Sequence, residues 1–174
     1  ELALDSLETQ TQYYSCICWN GDNILVGSSS GHILPFSGNE PGERIKAHQT
    51  AVTNLLTAKD GILSSSNDNI KVFNTSMRCM LSISTHDVGI KHSITSIDID
   101  WVNGVILVGT SGNEIRQLSS DDGSNLKVLV SSHAQSPMGL SVSSNGSFAT
   151  TGDDGILRIW NAYDHQVSLS YDLN

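Results

Sequence analysis

The chain is poor in positive charge. Nine Lys and Arg stand against 18 Asp and Glu in 174 residues, for a formal net charge of −9. A polyanion of this kind lacks the cations that release counterions from a phosphate backbone, so we expect no nucleic-acid partner. Cysteine is scarce too. Cys16, Cys18 and Cys79 are odd in number and too few for a disulfide framework, which points to a reduced, cytoplasmic compartment. The longest purely apolar run, Val105-Ile106-Leu107-Val108, falls far short of the roughly 20 residues a membrane helix needs, so we expect no membrane partner. Glu1 to Gln10 contain neither the basic nor the apolar segment of a secretory signal, and the first residue is not Met. The expectation is a stretch of a longer chain without a secretory route, in which the sequons at Asn74 and Asn145 carry no sugar.

Helical periodicity is the last thing missing. Apolar residues alternate with a period of two, as in Ile24-Leu25-Val26, Val52 to Leu55, Ile94 to Ile99 and Val105 to Val108. The pairs Asn20-Gly21, Asn103-Gly104 and Asn145-Gly146, with Asp60-Gly61, read as hairpin turns. Their glycines are 40, 43 and 42 residues apart. A second anchor keeps the same register: SSSGHILPF, SSNDNIKVF, TSGNEIRQL and GDDGILRIW end at Phe36, Phe73, Leu118 and Trp160. Each of these strands follows a tight turn, around Gly31, Asp68, Asn113 and Gly155. A further apolar strand closes each unit, at Arg44 to Ala47, Met80 to Ser84, Lys127 to Val130 and Val167 to Tyr171. Four short antiparallel strands per unit of about 40–45 residues is the period of a propeller blade. The fold class is therefore all-β, a partial β-propeller over residues 1–174, with blades at 11–47, 48–84, 85–132 and 133–172.

The run Gly152-Asp153-Asp154-Gly155-Ile156-Leu157-Arg158-Ile159-Trp160-Asn161 resembles the end of a WD repeat, with Asn161 where that family usually has Asp. The resemblance implies a hydrogen-bond network at His133, Thr150, Asp154 and Trp160. Asp154 would hold the imidazole, which holds the threonine hydroxyl, which accepts from the indole. Only the fourth repeat has the full set. The second has His48 and Phe73 with Leu63 and Asn67 at the other two places, and the third has His92 with Val108, Gly112 and Leu118. The first has Val26, Ser30 and Phe36. Three further strings are similar to echinoderm microtubule-associated-protein-like proteins: Lys46 to Leu55, Ile106 to Ile115, and Met138-Gly139-Leu140 ahead of Gly152-Asp153-Asp154. That resemblance implies a cytoskeletal scaffold that binds tubulin or microtubules.

No catalytic, cofactor-binding or metal-binding residue is expected, and no cofactor. Gly27-Ser28-Ser29-Ser30-Gly31 matches the G-x-S-x-G pattern of a nucleophile elbow, but that motif needs a helix after the turn. The next residues, His32-Ile33-Leu34-Pro35-Phe36, are strand-like instead, so a serine hydrolase using Ser29 is kept only as the alternative from another class. Asp98-Ile99-Asp100 opens something like a calcium loop, yet Val102 and Gly109 stand at ligand places. The two aspartates read as solvent-facing strand positions. Cys16 and Cys18 share one side of a strand as small buried hydrophobes, and no zinc set completes them. His48, His92 and His133 recur at one place in three repeats and are structural, while His32, His86 and His165 are surface residues. The reading is a non-catalytic scaffold that docks protein partners on its rims, either tubulin or an unrelated peptide. Both ends look like outer strands, Leu2 to Leu7 and Val167 to Tyr171. This leaves an open arc of about half a ring, whose raw blade faces should drive self-association.

Overall fold

The computed structural model describes residues 13–58, 61–130, 137–161, 163, 164 and 166–173, and the described residues form strands and turns only. Four antiparallel sheets follow one another along the chain. The first holds β1 (Tyr14–Asn20), β2 (Asn23–Ser28), β3 (His32–Ser37), β4 (Glu40–Pro41) and β5 (Ile45–Lys46). The second holds β6 (Asn54–Ala58), β7 (Gly61–Ser65), β8 (Asn69–Phe73) and β9 (Cys79–Ser84). The third holds β10 (Ile94–Asp100), β11 (Val105–Thr110), β12 (Glu114–Ser119) and β13 (Asn125–Val130). The fourth holds β14 (Pro137–Val142), β15 (Ser147–Gly152), β16 (Ile156–Asn161) and β17 (Val167–Asp172).

The sheets stack as blades, with first strands packed in the order β1, β6, β10, β14; among the described residues β14 does not pack back on β1 to the same extent. Among the described residues the ring is unclosed. One core lies between blades 1 and 2, built from Leu25, Ile33, Val52, Leu55, Ile62 and Phe73. A second joins Leu63, Ile70, Val72 and Ile83 of blade 2 to Ile97, Ile99, Ile106 and Val108 of blade 3. A third sets Leu107 and Ile115 of blade 3 against Phe148 and Trp160 of blade 4.

Gly21, Gly104 and Gly146 adopt φ of +61°, +66° and +78°, the left-handed backbone that an Asn-Gly hairpin requires. Gly61 differs from that expectation and opens β7 without a positive φ. Its requirement is space, because a Cβ there would stand 2.6 Å from the Phe73 carbonyl oxygen and 2.9 Å from the Trp101 ring. The outer strand of blade 1 also departs from the single run expected at Arg44 to Ala47. It splits into β4 and β5, which pair with β3 at 36–37 and 32–33. Pro35 lies between those two stretches and has no N–H to give, while its carbonyl accepts from Gly42 N at 2.8 Å. Val52 precedes β6 rather than lying in it, and Leu2 to Leu7 fall outside the described residues.

Polar ties run between neighbouring blades. Ser15, beside a break in register near the start of β1, donates its hydroxyl to the Val52 carbonyl, and Thr95 at the same place in β10 donates to the Pro137 carbonyl. Thr57 donates to the Trp19 carbonyl. Asp98 Oδ2 accepts from Val142 N at 2.7 Å, across from blade 3 to blade 4. That corrects the reading of Asp98 as solvent-facing. Alternation along β10 does place Asp98 opposite Ile97 and Ile99, but its side of the strand meets the next blade.

Candidate functional site

In blade 4, Trp160 on β16 and Phe148 on β15 are register partners whose rings stack with centroids 5.6 Å apart. Trp160 Nε1 donates to Thr150 Oγ1 at 2.8 Å, and both residues are buried. Asp154 sits in the β15–β16 turn, where it accepts from Ile156 N at 3.2 Å and from Arg158 Nη1 at 3.0 Å. His133 lies outside the described residues.

Blade 2 holds a network at positions other than those expected. His48 is buried, its Nε2 lies 2.7 Å from Ser64 Oγ, and its Nδ1 lies 2.9 Å from Ser66 Oγ and bonds Asn69 Oδ1. Ser66 also donates to Asp68, which accepts from Gln49 N at 3.1 Å and from Thr50 Oγ1 at 2.8 Å. The members are Ser64 and Asp68, not Leu63 and Asn67. The β7–β8 turn is one residue tighter than the β15–β16 turn: Ser65 pairs with Ile70, whereas Thr151 pairs with Leu157. Counting back from Phe73 at the blade 4 spacing therefore lands one residue early. The polar run Ser64-Ser65-Ser66-Asn67-Asp68 was the available signal.

Burial pushes the His48 imidazole pKa below its ordinary value, against the opposing pull of Asn69 and Asp68. Burial alone would raise Asp68, yet the hydrogen bonds from Ser66, Gln49 and Thr50 outweigh it and hold the carboxyl at about 2. The imidazole stays neutral and the carboxylate ionised, which suits a structural clamp on the loop ahead of β6.

Blade 3 uses a different clamp. Arg116, buried on β12, donates from Nη1 to Val88 O at 2.8 Å and from Nη2 to Gly89 O at 3.0 Å, and its Nε meets Glu114 at 3.1 Å. It thereby ties the sheet to the β9–β10 connection. His92 is exposed and lies over Gly112, so the structural reading of that histidine fails.

The chemical readings resolve plainly. Ser29 lies in the turn between β2 and β3, and its Oγ accepts from Tyr13 N at 3.1 Å. The helix of a nucleophile elbow is replaced by β3. Asp100 spends its Oδ1 on the N–H groups of Val102 and Asn103, at 3.0 and 3.1 Å, as a turn former. Cys16 and Cys18 pack against the core between blades 1 and 2. Burial, helped by the neighbouring Cys16, pushes the Cys18 thiol up to about 12. Such a thiol is inert. Among the described residues no group of three or more His, Cys, Asp or Glu is placed to hold a metal ion.

Residues 123–161 match the family model "WD domain, G-beta repeat". At a TM-score of 0.78 and 17% identity, the WD40 β-propeller domain of Doa1 covers 92% of this chain, and the chain covers 55% of that one. The chain has the WD-repeat β-propeller fold. The computationally designed Ika4 protein superposes with a TM-score of 0.73 at 18% identity, over 90% of this chain and 95% of that one. In sequence, the chain is 24% identical over 148 residues to "Ciliary WD repeat-containing protein ctxp80" of Euplotoides octocarinatus. That match spans 84% of this chain and about a fifth of the length of the relative. These likenesses and the stacked blades agree on the fold.

Proposed function

We propose that this WD-repeat arc is the non-catalytic docking part of a microtubule-associated protein, that it contacts tubulin through its folded surface, and that it works in the cytoplasm on the cytoskeleton. Two observations support the reading. Strings at Lys46 to Leu55 and Ile106 to Ile115 resemble echinoderm microtubule-associated-protein-like proteins, and the curated relative is named as a ciliary protein. The observation that carries it is the second, because cilia are built on microtubules. Charge sets the mode of contact. A module at −9 is repelled by the acidic tubulin tails, so contact falls on the tubulin body. Co-sedimentation with microtubules whose tails have been removed by protease tests this. Binding retained or strengthened after tail removal is the expected outcome. Binding only to intact tails, weakened by salt, would overturn the mode, and no binding to either polymer would leave a peptide-docking scaffold unrelated to microtubules.

We also propose that the isolated chain self-associates through its two end faces. Ile17 and Trp19 on the outer side of blade 1 are each 66% exposed, and Leu169 and Tyr171 on β17 of blade 4 are exposed as well. Apolar surface of this kind drives association when it is contiguous.

A further inference from the structure

A cavity of about 220 Å³ opens where blades 3 and 4 meet, on the edge that carries the β10–β11 and β14–β15 turns. Its walls are apolar: Val105 and Leu107 from β11, Val142 from β14 and Phe148 from β15. One buried polar side chain interrupts them. Gln117 pairs with Leu107 across β11 and β12, so its carboxamide leaves the sheet on the side that faces blade 4. Gln117 is 6% exposed and lines the cavity, and its side chain makes no hydrogen bond among the described residues. The carboxamide atoms are not sealed off from the cavity, so they are within reach of a partner's polar group.

The mouth is acidic and aromatic. Asp100 and Asn103 stand on one side and Tyr163 on the other, 82% exposed, with its ring 3.3 Å from where a Cβ on Gly146 would be. A neighbouring groove between blades 2 and 3 shares Asn103 and adds Met80, Trp101, Val102 and Asp121. Among the described residues no Lys or Arg lines either of them.

We propose that this cavity receives one aliphatic or aromatic side chain of a partner polypeptide. The partner's peptide group bonds the Gln117 carboxamide, and flanking Lys or Arg residues meet Asp100 and Asp121. Size selects this occupant, because 220 Å³ is below the roughly 300–1,000 Å³ of small-molecule pockets but enough for one large side chain. Charge selects the flanks. The carboxylates at the mouth repel an acidic segment. The site rests on the scaffold reading and not on the tubulin one, so microtubule co-sedimentation and peptide binding succeed or fail separately.

The test uses the full chain and three fluorescein-labelled peptides: a central Phe flanked by Lys and Arg, the same peptide with Ala for Phe, and the same peptide with Glu flanks. Anisotropy reads affinity. The Gln117 side-chain NH2 signal in a 1H–15N spectrum, assigned by its loss in Gln117→Leu, reads position. The basic Phe peptide should bind, shift that signal, and weaken with salt. Gln117→Leu should cost it roughly tenfold in affinity, one hydrogen bond's worth, with no loss of thermal stability. Val105→Phe should fill the cavity and abolish binding. Equal binding of the three peptides, an unmoved Gln117 signal at saturation, or no binding at millimolar peptide would each overturn the proposal.

Discussion

Blade 1 and blade 3 present the same strand to opposite fates. Ile17 lies opposite Val26 in blade 1 as Ile97 lies opposite Val108 in blade 3, and both first strands shift register near their start. Ile97 and Ile99 are 4% and 8% exposed, whereas Ile17 and Trp19 are each 66% exposed. A large apolar residue stands at every second position in both places, and the difference is the neighbour. Blade 2 covers Ile97 and Ile99 with Leu63, Ile70 and Val72, while nothing among the described residues covers Ile17 and Trp19 in that way. Blade 4 repeats the contrast within one strand. Trp160 turns toward blade 3, and Leu157 and Ile159 turn toward the open side. Burial in this fold is therefore a property of the blade pair, and among the described residues the end faces lack the neighbour that covers the inner ones.

The largest expected effect comes from the covered side of blade 4. Trp160→Ala should cost about 3–5 kcal/mol, from a lost ring and the lost hydrogen bond to Thr150. Leu157→Ala, on the open side of the same strand, should cost well under half as much in thermal or urea melts. Equal costs would break the contrast. Next, Ile97→Ala should destabilise by about 2–5 kcal/mol, whereas Ile17→Ala should stay within about 0.5 kcal/mol and should reduce association instead. Ser64→Ala should cost about 1–3 kcal/mol by leaving the buried His48 Nε2 unpaired, while Ser30→Ala in blade 1 should be nearly silent. A silent Ser64→Ala would mean that the blade 2 network carries no stability.

The smallest effect is a pH dependence of the covered network. His48 is held below its ordinary pKa, so under acid the unfolded chain binds a proton that the folded one refuses. Stability should fall as pH drops below about 6.5. Asp68 is held at about 2, so its contribution is present above its unfolded value and is lost as pH falls toward 2. Asp68→Asn should flatten the lower step and deepen the upper one, because the carboxylate's opposing pull on His48 is lost. Melting temperature against pH reads both.

The blades were legible because hairpin glycines and period-two strands repeat at fixed spacing, and such turns are local chemistry. Alternation also showed which residues share a side, as with Asp98 against Ile97 and Ile99. It could not show whether that side meets water or another blade, and Asp98 bonds Val142 N across a gap of 44 residues in sequence. The Trp160–Thr150 pair was legible because the WD string fixes its spacing. Ser64 and Asp68 were not, since one deleted turn residue shifts every count made from Phe73. Arg116 and Gln117 left no trace in the pattern. Both are polar residues buried on a central strand, and only the neighbouring elements give one of them carbonyls and the other a cavity.

The central claim is that the end faces are unfinished blade interfaces. Light scattering coupled to size exclusion, on the intact chain at micromolar concentration, addresses it directly. The account predicts a dimer or larger assembly that shifts toward monomer when Trp19→Ser removes the exposed indole. A sharply melting monomer that binds no apolar-surface dye would contradict it, and would mean that four blades are complete by themselves.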